Sequence, residues 1–266
     1  MLRRALPLTL TALCFTACQG DKKAPSDSKQ APAKAAEPKK AEKPAKAPEP
    51  AKPAATAKDG TAKLTGQVIF KGKPPAETVI DMKSDPKCAA LSKGAKTRDH
   101  RVKDGKLQDV FVYVKSGISG KYPVPKTPVT MDQKGCQYEP KVLGIMAKQE
   151  IEIINSDPLL HNIHAYGKNE FNVAMPTQGQ RKKKKFKKAA VMVSMKCDVH
   201  PWMQSYIGVV KHPFFQVTGE DGAFSIEGLP AGTFTLAAVH PKLGEKTSEV
   251  TVADGASAEV SFTFGQ

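Results

Sequence analysis

Between residues 61 and 266 the apolar residues of this chain come in short runs that alternate with polar ones, with turn residues between the runs. Successive side chains of a strand point to opposite faces, so a period of two marks strands that bury one face. Leu64 to Phe70 and Val110 to Val114 are such runs. Ile151 and Ile153 share one face and Glu150 and Glu152 the other, while Val191, Val193, Met195 and Cys197 line up opposite Met192, Ser194 and Lys196. Phe224-Ser225-Ile226 and Phe234-Thr235-Leu236 follow, bounded by Asp221-Gly222 and Pro230-Ala231-Gly232. No run sustains a helical period, and an all-β fold is expected.

The first 60 residues cannot contribute to such a core. Residues 19 to 60 consist almost entirely of Ala, Lys, Pro, Glu, Ser and Asp, with seven prolines and no apolar residue larger than Ala besides them. That composition buries too little surface to offset its ordering entropy, so residues 18–60 read as a disordered tether. Ahead of it, Arg3 and Arg4 precede an apolar run of 13 residues, Ala5 to Ala17, too short to span a bilayer and suited to an export signal over residues 1–17. Phe15-Thr16-Ala17-Cys18 resembles the processing site of bacterial lipoproteins, although Phe15 stands where that family usually has Leu. The resemblance implies that Cys18 is acylated, giving a membrane-anchored periplasmic protein, and Gln19 after it implies the outer membrane. An ordinary cleaved signal is the alternative.

Of the net charge of +15, the signal carries +2 and the tether +4, and seven of the remaining nine charges sit in Arg181 to Lys188. The basic balance is therefore one local patch. No stacking aromatics or nucleic-acid motif accompany it, so nucleic acid is not an expected partner. The run reads either as a solvated loop or hairpin, or as a patch that steers an acidic redox partner or anionic headgroups. Among the five cysteines, Cys14 leaves with the signal and Cys18 takes lipid, which makes Cys88 and Cys136 available to pair in an oxidising compartment. Pairings that use Cys197 stay open.

Cys197-Asp198-Val199-His200-Pro201-Trp202-Met203 places a thiolate, an imidazole and a thioether on one tight loop. Such soft and borderline donors suit copper in a trigonal site with a weak axial Met, provided a second imidazole arrives from elsewhere. His161-Asn162-Ile163-His164, 36 residues before Cys197, supplies it. Together these motifs resemble the cupredoxins, and most closely the short ligand loop of the amicyanin type, over roughly residues 127 to 211. The resemblance implies one copper ion held by His161, Cys197, His200 and Met203. It implies that Asn162 ties the two ligand loops together, and that Pro201 and Trp202 form an apolar rim around an exposed edge of His200 where electrons pass. On an extended strand His161 and His164 face opposite sides, so His164 is expected at the surface, or as the ligand in place of His161. Zinc is the rival metal at the same donors.

The string from Asp221 to Phe234 closely resembles the carboxypeptidase regulatory-like domain, a small transthyretin-like β-sandwich, and Gly66-Gln67-Val68 with Gly72-Lys73-Pro74-Pro75 fits the start of the same family. The expected architecture is a cupredoxin Greek-key β-sandwich at 127–211 and a regulatory-like sandwich at 213–266. Residues 61–126 form either the first strands of that sandwich, with the metal unit inserted, or the completion of the cupredoxin sheet. A one-electron carrier docking a redox partner near His200 or the 181–188 run is the expected function. A copper-delivery or buffering protein and a surface scaffold with incidental metal are the alternatives. An enzyme is not expected: the chain has six His, and Cys197 lies between Lys196 and Asp198 rather than between further copper-binding histidines.

Overall fold

In β1 (Ala62–Lys71) every second residue, Ala62, Leu64, Gly66, Val68 and Phe70, is buried, as the alternation requires. The computed structural model describes residues 60–265, so the signal, Cys18 and the tether up to residue 59 lie outside the described residues. After β1 come one short helix, α1 (Pro86–Leu91), and β2 (Val102–Lys103), β3 (Lys106–Leu107) and β4 (Phe111–Ser116). Next are β5 (Val129–Gln133), β6 (Tyr138–Glu139), β7 (Val142–Met146), β8 (Glu150–Asn155), β9 (His161–Ala165), β10 (Phe171–Met175), β11 (Arg181–Lys185), β12 (Ala190–Lys196) and β13 (Gln204–Val210). The chain closes with β14 (Phe215–Val217), β15 (Ala223–Leu229), β16 (Gly232–His240), β17 (Gly244–Val252), β18 (Ser257–Glu259) and β19 (Phe262–Gly265). Among the described residues the fold is all-β apart from α1, and no helix there is long and apolar enough to cross a membrane.

Two sandwiches result. In the first, β1 lies between β15 and β3, with β18 and β19 pairing parallel to it, and this sheet shares a core with the sheet β14-β4-β16-β17. Leu64, Val68 and Phe224 from one sheet and Val112, Val114 and Leu236 from the other fill that core. In the second, the sheet β10-β9-β12-β13-β7 and the sheet β11-β8-β5-β6 enclose Met131, Ile151, Ile153, Ile163, Met195 and Ile207. β4 and β14 pair antiparallel, Tyr113 opposite Phe215, so the chain leaves the first sandwich from one strand and re-enters it on that strand's neighbour. All of β5 to β13 lies between them, and β1 pairs with none of these nine strands.

The two sandwiches meet at a glycine pair. Gly144 of β7 and Gly208 of β13 are in register, and the rings of Phe111 and Phe215 press against them. A Cβ on Gly208 would come within 2.4 Å of Phe111, and one on Gly144 within 2.6 Å of Phe215, so neither position has room for a side chain. Nearby, His240 at the end of β16 is 2% exposed and its ring stacks on that of His100. Burial, followed by the neighbouring His100, pulls the His240 imidazole down to about 4. Its folded value lies below the unfolded one near 6.5, so the unfolded chain takes up the proton first and stability is lost as pH falls through that window. The stability gap between the native chain and His240→Phe, read from urea midpoints, should shift by roughly 3 kcal/mol between pH 7 and pH 4. A gap that does not change with pH would show that His240 is not the group responsible.

Two local departures from the sequence pattern bear on the site. Val191 is 37% exposed and does not join Val193, Met195 and Cys197 in the core. Met192 adopts a left-handed conformation (φ 57°) at a register shift in β12, and this bulge breaks the alternation. Helix α1 was not anticipated, because six residues carry no readable period; its local signal is Asp85-Pro86, an N-cap followed by a proline in the first turn. The basic run is a loop only in part: Phe186, Lys187 and Lys188 lie in the connection between β11 and β12. Its first five residues form β11, a strand at the edge of its sheet, in which Arg181 pairs with Glu152 and Lys183 with Glu150.

Candidate metal centre

His161 opens β9, and its imidazole is fully buried because the strand's inward face lies in the second core. Cys197 follows the last residue of β12 on the same inward face as Val193 and Met195. The loop after it closes on itself: the Cys197 N–H donates to the Met203 carbonyl at 3.2 Å and the Met203 N–H to the His200 carbonyl at 2.9 Å. That closure turns the His200 ring inward, toward His161. The two Nδ1 atoms stand 3.0 Å apart, the Cys197 Sγ lies 3.8 Å from the His200 Nδ1, and one donor atom from each residue fits within 4.8 Å of the others. Met203 is fully buried in the same apolar cluster, while His164 points away from it, toward Asp198.

Each imidazole is held from behind by a carboxylate. The His161 Nε2 meets Asp157 Oδ2 at 2.9 Å, and the His200 Nε2 meets Asp85 Oδ2 at 3.0 Å. A proton on each Nε2, donated to its carboxylate, leaves Nδ1 as the lone-pair donor, so both rings present a metal-binding nitrogen to the same point. Asp157 is itself fixed by the N–H groups of Gly135 (2.8 Å) and Cys136 (2.7 Å). Burial opposes its charge, yet the His161 hydrogen bond and these two N–H donors hold Asp157 below the ordinary carboxylate range. The His200 hydrogen bond does the same for Asp85. Burial also opposes charge on His161, but Asp157 and the Cys197 sulfur outweigh it and push the imidazole up to about 9. Conversely, burial disfavours the Cys197 thiolate, while His161 and the backbone of Asn162, His200 and Val199 draw the thiol below its ordinary value.

Asn162 joins the two ligand segments. Its Oδ1 accepts from the Cys197 Sγ at 3.2 Å and from the Asp198 N–H at 2.7 Å, and its Nδ2 donates to Asp198 Oδ2 and Asn172 Oδ1. Losing these bonds would free the cysteine loop from β9. Asn162→Ala should therefore weaken Cu(II) binding by about 10–100-fold in a competition titration, and unchanged affinity would mean the loops are held by other contacts.

The edge of His200 departs from expectation. His200 is only 2% exposed, so Pro201 and Trp202 do not frame an open edge of the ring. The segment before β2 covers it: residues 78–80 and 95–97 pair across α1, Asp85 caps that helix, and a disulfide joins Cys88 to Cys136 in the β5–β6 turn. Trp202 is half-buried and its indole N–H donates to the Cys136 carbonyl at 3.1 Å. The carboxylates Asp85 and Asp157 were not among the sequence candidates. Both precede a proline, but Asp85 lies 115 residues from His200 and nothing local marks the pairing.

The donor set, one thiol and two imidazole Nδ1 atoms with a buried thioether on the same loop, fits a soft or borderline ion. Two further groups of donors include Cys88 or Cys136, whose sulfurs are committed to the disulfide.

No protein-family model matches the chain, and neither does any curated protein. Among solved structures, a Cu-containing nitrite reductase from Thermus scotoductus SA-01 aligns at 24% identity and TM-score 0.31, over 36% of this chain and 25% of its own length. This chain thus spans about a quarter of that reductase. A purple cupredoxin from Nitrosopumilus maritimus aligns at 22% identity and TM-score 0.27, over 30% of this chain and 98% of its own. A variant of amicyanin in its Cu(I) state aligns at 18% identity and TM-score 0.28, over 37% of this chain and 97% of its own.

Proposed function

We propose that the second sandwich holds one copper ion at His161, Cys197 and His200, with Met203 as a weak fourth donor, and that the chain carries single electrons. The observation that carries this reading is the convergence of three buried donor atoms within 4.8 Å, with both imidazoles pre-oriented by carboxylates. Copper bound there would supply a one-electron couple, and Met203 and the surrounding hydrogen bonds would tune its potential. The chain's own residues do the rest. Asp157 and Asp85 hold both rings, Asn162 fixes the cysteine loop by accepting from the Asp198 N–H, and the apolar cluster around Met131, Ile163 and Met195 excludes water. A scaffold organised in advance changes little between oxidation states, and with four donors it leaves no position for a substrate, which favours a carrier over an enzyme.

Export belongs to the same proposal. The Cys88–Cys136 disulfide supports an oxidising compartment, the bacterial periplasm, with Cys18 as a lipid anchor to the outer membrane. The first sandwich is proposed to be a regulatory-like module that presents the metal unit from between its own strands. The test is to load the full chain with Cu(II) and measure metal content, visible absorption and voltammetry. One copper per chain and an intense visible band that bleaches with ascorbate and returns on reoxidation are expected. A colourless protein, or a band that does not cycle, would overturn the carrier.

A further inference from the structure

Outer-sphere electron transfer weakens steeply with distance, so the side on which the ligands come nearest the surface decides where a partner must dock. The His200 side is closed. The outward nitrogen of His200 is bound to Asp85, and the capping segment is fastened by the Cys88–Cys136 disulfide, by the Ser92 hydroxyl on the Gly135 carbonyl (2.5 Å) and by the Trp202 indole on Cys136. A partner on that face would meet the cap and not the ligand.

On the Cys197 side the sulfur is also buried, at 3% exposure, but no capping segment covers the exposed residue that follows it, Asp198. Asp198 is covalently next to the sulfur-bearing residue and is tied back to the sulfur through Asn162. Its carboxylate accepts from the Tyr166 hydroxyl (3.3 Å), the His164 Nδ1 (3.2 Å) and the Asn172 amide (2.6 Å). The Tyr166 ring stacks on His164 with centroids 4.0 Å apart, is 41% exposed, and carries the Lys196 ammonium 5.5 Å from its centre. Side chains from β9, β10 and the end of β12 thus form a connected network from the sulfur to an exposed aromatic ring beside an exposed cation.

On the reading that copper occupies the site, we infer that electrons enter and leave through the Asp198–Tyr166 face and not through His200. Tyr166, His164 and Lys196 are then the contact surface for an outer-sphere one-electron carrier. In the simplest exchange, hexacyanoferrate(III) takes one electron from the reduced site and becomes hexacyanoferrate(II); no bond is made or broken and no proton moves.

Two charge reversals of equal size separate the faces. Lys196 lies over Tyr166, whereas Lys87 is an exposed residue of α1, two residues from Asp85. With the copper-loaded full chain at low salt, Lys196→Glu should slow oxidation by the anionic hexacyanoferrate(III) about tenfold, with the effect shrinking as salt rises, while Lys87→Glu stays within about twofold. The visible band should be the same in both. Independently of turnover, the redox-inert paramagnetic anion hexacyanochromate(III) should broaden amide NMR signals around Tyr166 and Lys196 of the native chain, and not those of α1. Slowing by Lys87→Glu alone, equal slowing by both, or broadening centred on α1 would overturn the inference. An unsubstituted chain that forms no band would instead remove the copper reading, and this inference with it.

Discussion

Cys197→Ser is expected to abolish the intense visible band of the copper-loaded chain and to lower Cu(II) affinity by more than about a hundredfold. An orienting residue behind a ligand is worth about 10–100-fold, and a strong donor should exceed it. A serine hydroxyl remains protonated at neutral pH and is a hard, weak donor, so the soft half of the donor set disappears. The fold should survive, because the hydroxyl can still donate to Asn162 Oδ1, which the Cys197 sulfur now reaches at 3.2 Å. The metal-free variant should unfold within about 1 kcal/mol of the native chain, which separates loss of the ligand from loss of structure. The checks are absorption, a competition titration and urea unfolding of both metal-free proteins. A variant that retains the band would mean that the sulfur is not the donor.

Replacing both Cys88 and Cys136 by serine is expected to lower stability by about 2–4 kcal/mol and to speed the removal of copper by a chelator. The bridge closes a loop of 48 residues, for which the chain-entropy model allows about 4 kcal/mol as a ceiling. The larger consequence is local. The bridge pins α1 over His200, and Asp85 at the head of that helix holds the His200 Nε2 at 3.0 Å. Without it, the cap can open and the ring loses its anchor. Urea midpoints measure the first effect and the half-time of copper transfer to a Cu(I) chelator the second. Unchanged transfer with lowered stability would show that Asp85 and Ser92 close the cap unaided.

The pH dependence set by His240 and the loop contacts of Asn162 can be measured separately from these two effects. His240 lies in the first sandwich and Asn162 in the second.

What could be read without coordinates was local. The alternation of Leu64 to Phe70 and of Ile151 and Ile153 follows from the two-residue repeat of a strand, a property of a few adjacent residues. Likewise, seven consecutive residues carry Cys197, His200 and Met203, so their proximity needs no knowledge of the rest of the chain. The same reasoning failed at Val191, where a bulge at Met192 shifts the phase by a backbone conformation that no composition announces. It also had no access to α1, which is too short to show a period.

Partner choice between distant segments was decided only in three dimensions. Asp85 reaches His200 across 115 residues, and β1 finds its partners in β15, β18 and β19 at the far end of the chain. The cost of closing a loop changes only slowly with its length, so sequence distance carries almost no information about which segments meet. Composition and periodicity determined an all-β chain with a compact donor loop. Tertiary packing determined that a disulfide-pinned cap would bury His200, that a carboxylate would stand behind each of the His161 and His200 rings, and that Tyr166 would be left facing the solvent.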